Sequence, residues 1–311
     1  MATLALSMDG GGIRGVVSAI LLDRLLDAVP GWFYDVTCFA GTSTGGILAC
    51  GLASGLTPSV IRDLYLTQGP VIFHRALPLA ARDLWSLVEA RYDDRVLSAV
   101  LMAQFGATLL RDLPRKIVVP TFRLDNGATV PFLRTWAPKV WHNFSGMDSD
   151  GDVPVWKVAT YTSVAPTYFP SVDGYIDGGV YAANPAMVAL AQLLDVRNEP
   201  TPDLKDIWLL SLGTGVSPRY ISGQRVSWGV TQWMPSLIPL LLEGTAGIAD
   251  FQVQQLLGPQ YHRLAPVFPP PVTVDQDDVK ALPYLVEFAQ QVELSGTVEW
   301  LQRWQGLPRT A

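Results

Sequence analysis

Apolar residues in this chain fall into short continuous runs, separated by glycine-rich turns and by longer stretches with helical spacing. Residues 2–8 (ATLALSM) form one such run, bounded by Asp9 and three glycines, and read as a buried strand. Val17, Ile20, Leu21, Leu25 and Val29 then recur at helical spacing until Pro30-Gly31 stops the pattern. Val36 to Ala40 is again short and apolar, followed by a second glycine turn and a helix from near Thr44. Strands separated by helices imply parallel neighbours in an α/β sheet.

Residues 57–106 read as mostly helical, with starts at Pro58 and near Asp93. Lys116 to Leu124 and Ala128 to Trp136 read as a strand pair joined by the turn Asp125-Asn126-Gly127. A helix after Pro154, a short strand from Val172 to Ile176, a helix after Asn184-Pro185 to Leu194 and a buried strand from Ile207 to Leu212 continue the alternation. Val226 to Leu242 is the most apolar stretch, interrupted by Pro235 and Pro239. It reads as a core helix. With Trp228 and Trp233 it also reads as an acyl-pocket wall or an interfacial lip, since tryptophan favours apolar–polar boundaries. Tyr261 to Leu264 is the last expected strand, Pro266 to Pro271 a linker, and helices from about Asp277 and Ser295 close the chain. The expected organisation is one domain over residues 1–271, with residues 272–311 a helical extension packed on it.

Composition sharpens this picture. With 311 residues, 49% hydrophobic and 16% charged, the chain can bury a large core. A net charge of −6 disfavours nucleic acid and electrostatic docking on anionic lipid. Cys38 and Cys50 look like buried free thiols. The chain enters a strand directly, without the basic and apolar regions of a signal peptide, and has no apolar run of the ~18 residues a membrane span needs. The expected location is cytoplasmic, with peripheral contact at membranes as a variant of it.

The two glycine turns carry the candidate chemistry. Ser43 sits in Gly41-Thr42-Ser43-Thr44-Gly45, a G-x-S-x-G elbow in which the chain reverses so sharply that side chains at Gly41 and Gly45 would clash. Small residues on the following helix (Gly45, Gly46, Ala49, Ala53) let it pack close to the strand, and its N-terminus aims N–H groups at developing negative charge. The other turn, Gly10-Gly11-Gly12-Ile13-Arg14-Gly15, also fits a dinucleotide fingerprint. That use needs an acidic residue at the end of the second strand, whereas Asp35 precedes the strand. A phosphate loop fails because Ile47 stands where lysine is required. Gly10, Gly11 and Gly12 are better used as an oxyanion hole, their N–H groups converging on an anion. Arg14 in that loop is expected to brace it through a carboxylate in preference to facing a lipid phosphate.

Asp177, at a strand's C-terminal end before Gly178 and Gly179, is the candidate base. His262 gives a Ser–Asp–His order as an alternative, but lies inside an apparent strand; His74 and His142 precede Asp177 and fit less well. Residues 147–152 (MDSDGD) resemble a calcium loop superficially, with glycine too early and Ala159 where the closing glutamate belongs, so they read as a solvated turn.

Together these residues resemble the patatin-like phospholipase family: Asp9 to Gly15 (DGGGIRG), Gly41 to Gly46 (GTSTGG) and Asp177 to Gly179 (DGG) match its three signatures in order. Ser163 to Pro170, Asn184 to Ala186 and Ser211 to Gly215 are supporting similarities, and the likeness covers about residues 2 to 265. The resemblance implies a three-layer α/β/α sandwich with a mostly parallel central sheet. It also implies hydrolysis of lipid acyl esters by a Ser–Asp dyad, with Ser43 the nucleophile, Asp177 the base, Gly10 to Gly12 the oxyanion loop, and no metal or other cofactor. Its implied partner is a lipid substrate at a membrane or micelle surface. Acyl transfer to an alcohol or thiol, a Ser–Asp–His esterase, and a non-catalytic lipid-binding module are the alternatives.

Overall fold

A computed structural model describes residues 2–74, 89–146, 148–198 and 200–307. The part of the expected helical region that falls on 75–88 lies outside the described residues. Among the described residues seven strands form one mixed sheet: β1 (Thr3–Met8), β2 (Val36–Gly41), β3 (Lys116–Arg123), β4 (Ala137–His142), β5 (Tyr175–Asp177), β6 (Ile207–Leu212) and β7 (Tyr261–Leu264). The strand order is β4-β3-β2-β1-β6-β7, and β5 also pairs with β3. β1, β2, β3, β6 and β7 are parallel, while β4 and β5 run against β3. Helices cover both faces, which is why β1 and β6 are near-continuous apolar runs instead of alternating ones.

The helices are α1 (Gly15–Ala28), α2 (Thr44–Ala53), α3 (Pro58–Ile72), α4 (Asp94–Phe105), α5 (Val155–Ser163), α6 (Gly179–Ala182), α7 (Ala186–Leu193), α8 (Val230–Leu257), α9 (Leu282–Gln291) and α10 (Ser295–Gln305). All ten residues of α2 are buried, a position its small side chains make possible. Leu285, Ala289, Trp300 and Leu301 of α9 and α10 enter the same core cluster as β1 and α1. The Trp208 ring on β6 lies 5.2 Å from that of Trp300 and 5.9 Å from that of Trp304.

Three elements differ from expectation. The partner of β3 is Ala137–His142, not Ala128 to Trp136. Val130, Phe132, Leu133 and Trp136 look like strand residues because they are apolar, yet all four are exposed on an excursion between the strands. The strand at Asp177 shrinks to Tyr175–Asp177, because Asp173 and Gly174 turn the chain with positive φ angles of 50° and 79°. The apolar stretch from Val226 becomes the start of the 28-residue α8, which continues through both prolines and leaves Met234, Leu237, Ile238 and Leu241 exposed. The first half of α8 is therefore not core, whereas Ala249, Val253 and Leu257 further along are buried.

Candidate active site

The site exists because β2 and β5 use the same edge of β3 from opposite directions. Ala40 pairs with Val118, and Asp177 pairs with Thr121. Two residues of β3, Val119 and Pro120, therefore lie between these pairings, a separation of three steps or ~10 Å at strand rise. Pro120 lies in that gap. It has no N–H to leave unpaired there, and its carbonyl accepts a 2.7 Å hydrogen bond from the Thr162 hydroxyl. Thr162 Oγ1 in turn accepts the Ser43 N–H at 2.9 Å. The elbow is thus pinned to β3 through one threonine on α5.

Ser43 holds φ 56° and ψ −126°, a conformation that costs a non-glycine residue energy and persists because its surroundings over-determine it. The flanking glycines have a steric reason. A Cβ at Gly41 would lie 1.9 Å from Gly45 O, and one at Gly45 would lie 2.1 Å from Met8 O. Gly46 and Ile47 donate their N–H groups to Ser43 O at 2.8 and 3.1 Å, which starts α2 directly behind the serine.

Asp177 is 4% exposed. Burial pushes its carboxyl up to about 7, against the Ser43 hydroxyl beside it and the Gly179 N–H, which both favour the ionised form. The Gly179 bond measures 2.7 Å and fixes the carboxylate's orientation. Gly178 is required by crowding, since a Cβ there would meet Pro120 O at 2.3 Å.

The first glycine loop lies against this pair: a Cβ on Gly10 would come 3.2 Å from Ser43 Cβ. Its three amides are not equivalent. The Gly10 N–H donates to Ala183 O at 2.9 Å, whereas those of Gly11 and Gly12 have no acceptor among the described residues. Gly12 has φ +58°, and a side chain there would run into Gln276 O at 2.1 Å. The loop is held from behind by Asp9, whose carboxylate takes two bonds from Arg263, at 3.2 and 2.6 Å. Burial raises the Asp9 carboxyl and opposes the charge on Arg263, while the facing carboxylate holds the guanidinium above its ordinary range.

Arg14 makes no ion pair among the described residues; its Nε donates to Gly11 O at 3.4 Å, so any brace runs through the loop's own carbonyl and not through a carboxylate. Burial, with Arg219 nearby, lowers it to about 10, leaving it charged at neutral pH.

Beside Ser43 an apolar cleft opens between α2, α3 and α4, lined by Ile47, Tyr65, Ile72, Leu101 and Phe169 among others. Residues 226–242 do not line it, so the pocket wall expected there belongs to other helices.

The histidine alternative fails on position. His262 lies on β7, three strand spacings or ~14 Å across the sheet from β2. Its ring bonds Thr297 Oγ1 at 2.9 Å and stacks on Trp300. His142 is buried on β4 and His74 is exposed after α3; neither bonds Ser43 or Asp177 among the described residues. In the calcium-like turn, Asp148, Asp150 and Asp152 pair with Arg197, Lys139 and Arg111. Thr162 and Arg263 carry no local sequence signal and are brought in only by the fold; Thr214, within the Ser211 to Gly215 similarity, donates its hydroxyl to Gly10 O at 3.1 Å.

A patatin-like phospholipase profile matches residues 6–190. The chain is 27% identical to protein teg of Priestia megaterium, over 96% of this chain and 97% of that protein. It is 30% identical to a cGAMP-activated phospholipase of Pseudomonas aeruginosa, over 89% of this chain and 81% of that protein. Among solved structures, the type III effector ExoU aligns with 98% of this chain and 54% of its own length, at 12% identity and a TM-score of 0.40, too low to carry an argument. With elbow, aspartate strand and glycine loop in one place, and with the profile spanning them all, the chain belongs to the patatin-like phospholipase family.

Proposed function

We propose that the chain hydrolyses carboxylic esters of lipids, with Ser43 as nucleophile and Asp177 as its general base. The observation that carries this reading is the placement of the Ser43 hydroxyl beside the buried Asp177 carboxyl, which burial raises to about 7. A solvated aspartate near ~3.9 is a poor base at neutral pH; one titrating near neutrality can take a proton and return it within one cycle.

The acyl chain enters the cavity beside Ser43, which places its ester carbonyl at the elbow. Ser43 Oγ attacks the carbonyl carbon as its proton passes to Asp177. The oxyanion takes the N–H groups of Gly11 and Gly12, which have no other acceptor among the described residues. Gly10 shapes the loop, its own amide being engaged by Ala183. The alcohol leaves with the proton from Asp177, giving an acyl-enzyme. Water then attacks, Asp177 again takes the proton, and the fatty acid departs as Ser43 is re-protonated.

Ser43→Ala and Asp177→Asn are each expected to lower ester hydrolysis at least ~1000-fold without changing the circular dichroism spectrum. Near-normal turnover in a folded Asp177→Asn would remove the aspartate from the mechanism. A fluorophosphonate probe is expected to label wild type and not Ser43→Ala; an unlabelled wild type would instead make this a lipid-binding module. Product analysis separates release of fatty acid from transfer to an alcohol.

A further inference from the structure

Two exposed apolar elements flank the candidate site, and neither takes part in the chemistry above. The first is the excursion between β3 and β4. β3 carries on past the end of β2, and the excursion begins beyond Arg123, ~10 Å further along the strand than the level at which Thr162 pins Ser43 to Pro120. It therefore projects from the sheet end at which Ser43 sits. On it, Phe132 is 86% exposed, Leu133 56% and Trp136 71%.

The second element is the N-terminal half of α8. Val230, Met234, Leu237, Ile238 and Leu241 follow a spacing of three and four residues and are all exposed. This is an amphipathic helix with its apolar stripe turned outward, the reverse of a helix packed on a core. One turn inward, Leu242 touches the aspartate loop: a Cβ on Gly179 would lie 3.2 Å from its Cδ2. The stripe therefore begins at the rim of the site. α8 follows the C-terminal end of β6, so its first turns lie at the same sheet end as the excursion.

Charge selects the occupant. The chain carries −6, yet residues 213–242 hold Arg225 and Arg219, the latter paired with Asp275, and no aspartate or glutamate. Residues 123–142 hold Arg123, Arg134 and Lys139 against Asp125, which is tied to Arg134. An acidic protein thus keeps both arms nearly free of carboxylates, with Asp125 neutralised by Arg134, as suits a surface meeting phosphate headgroups. Aromatic side chains at the tips, with arginines behind them, suit the boundary between acyl chains and headgroups.

We infer that the β3–β4 excursion and the outer stripe of α8 form a two-armed docking face for a phospholipid surface, seating the mouth of the site on the lipid. This rests on the reading of the chain as a lipid hydrolase, and its test separates the two. Binding is measured without chemistry, by sedimentation with phosphatidylcholine vesicles, using full-length Ser43→Ala. Adding Phe132→Ser with Trp136→Ser, or Leu237→Gln with Leu241→Gln, is expected to weaken vesicle binding by at least ~10-fold for each arm, since the lost term is burial of apolar surface. In the Ser43 background the same pairs are expected to leave hydrolysis of a soluble short-chain ester and the melting temperature unchanged. Vesicle binding unaffected by both pairs would overturn the inference. So would a fall in melting temperature and soluble-ester turnover equal to the loss of binding, which would make the arms structural. A wild-type dimer that dissociates on these substitutions would assign the face to a second copy of the chain. Absence of ester hydrolysis by wild type, with vesicle binding intact, would sink the hydrolase reading and leave the docking face standing.

Discussion

At the scale of residues, one carboxyl sets the pH behaviour. Asp177 titrates near 3.8 in an unfolded chain and about 7 here, because burial disfavours its charge. Two opposite trends follow. As base it must be ionised, so kcat/KM is expected to rise with pH along a limb centred near 7. For stability, the native state binds the proton more tightly than the unfolded chain, so this residue's contribution is fully present below the unfolded value and is lost as pH rises through the folded one. The loss amounts to ~4 kcal/mol at most. Melting temperature measured between pH 4 and 8 is expected to fall less steeply in Asp177→Asn than in wild type. Parallel slopes in the two proteins would show that the carboxyl is not raised. Ser43 and Gly41 needed no such context to be recognised, because the clash that demands Gly41 is local to the turn, whereas the one that demands Gly45 comes from Met8 on β1.

At the scale of elements, the glycine loop depends on a strand far away in sequence. Arg263 on β7 reaches Asp9 at 2.6 Å and Ser211 Oγ at 2.7 Å, and so ties the start of the loop to the next two strands. Removing one member of a buried pair leaves the other charge uncompensated, at a cost of ~3–5 kcal/mol. Arg263→Leu is expected to lower stability by about that amount and to slow ester hydrolysis. Asp9→Asn combined with Arg263→Leu is expected to recover part of the stability, with the coupling read from a double-mutant cycle in urea. Additive losses would mean that the pair does not act as a unit. Nothing near Asp9 announces this partner, since the contact spans 254 positions.

At the scale of the whole molecule, the C-terminal helices reach back to the chemistry. Gln276 O accepts the Ile13 N–H at 2.8 Å, and Arg24 on α1 donates to Ala289 O and Val292 O at 2.6 and 2.9 Å. Trp300, 1% exposed, packs between Trp208 and His262. Trp300→Ala is expected to cost ~3–5 kcal/mol through the cavity it leaves. Ending the chain after Pro271 is expected to abolish both the cooperative thermal transition and ester hydrolysis. A truncated chain that melts cooperatively and keeps its turnover would make residues 272–311 an independent appendage.

The amino-acid sequence by itself determined whatever is local. Buried parallel strands read as apolar runs, helices as periodic ones, and the elbow, glycine loop and Asp177-Gly178-Gly179 turn as places where backbone geometry excludes side chains. The glycine clusters are themselves a local mark, so those features were legible although the atoms that exclude side chains at Gly11, Gly12, Gly45 and Gly178 come from Thr214, Gln276, Met8 and Pro120. Tertiary structure decided what depends on pairing across the chain. It brought β2 and β5 end to end along β3, divided the amides of Gly10 from those of Gly11 and Gly12, and committed His262 to Thr297. It also turned the apolar residues at Phe132, Trp136 and Leu237 outward. Hydrophobicity states how much a side chain gains by leaving water; it does not say which surface, inside the fold or beyond it, will cover that side chain.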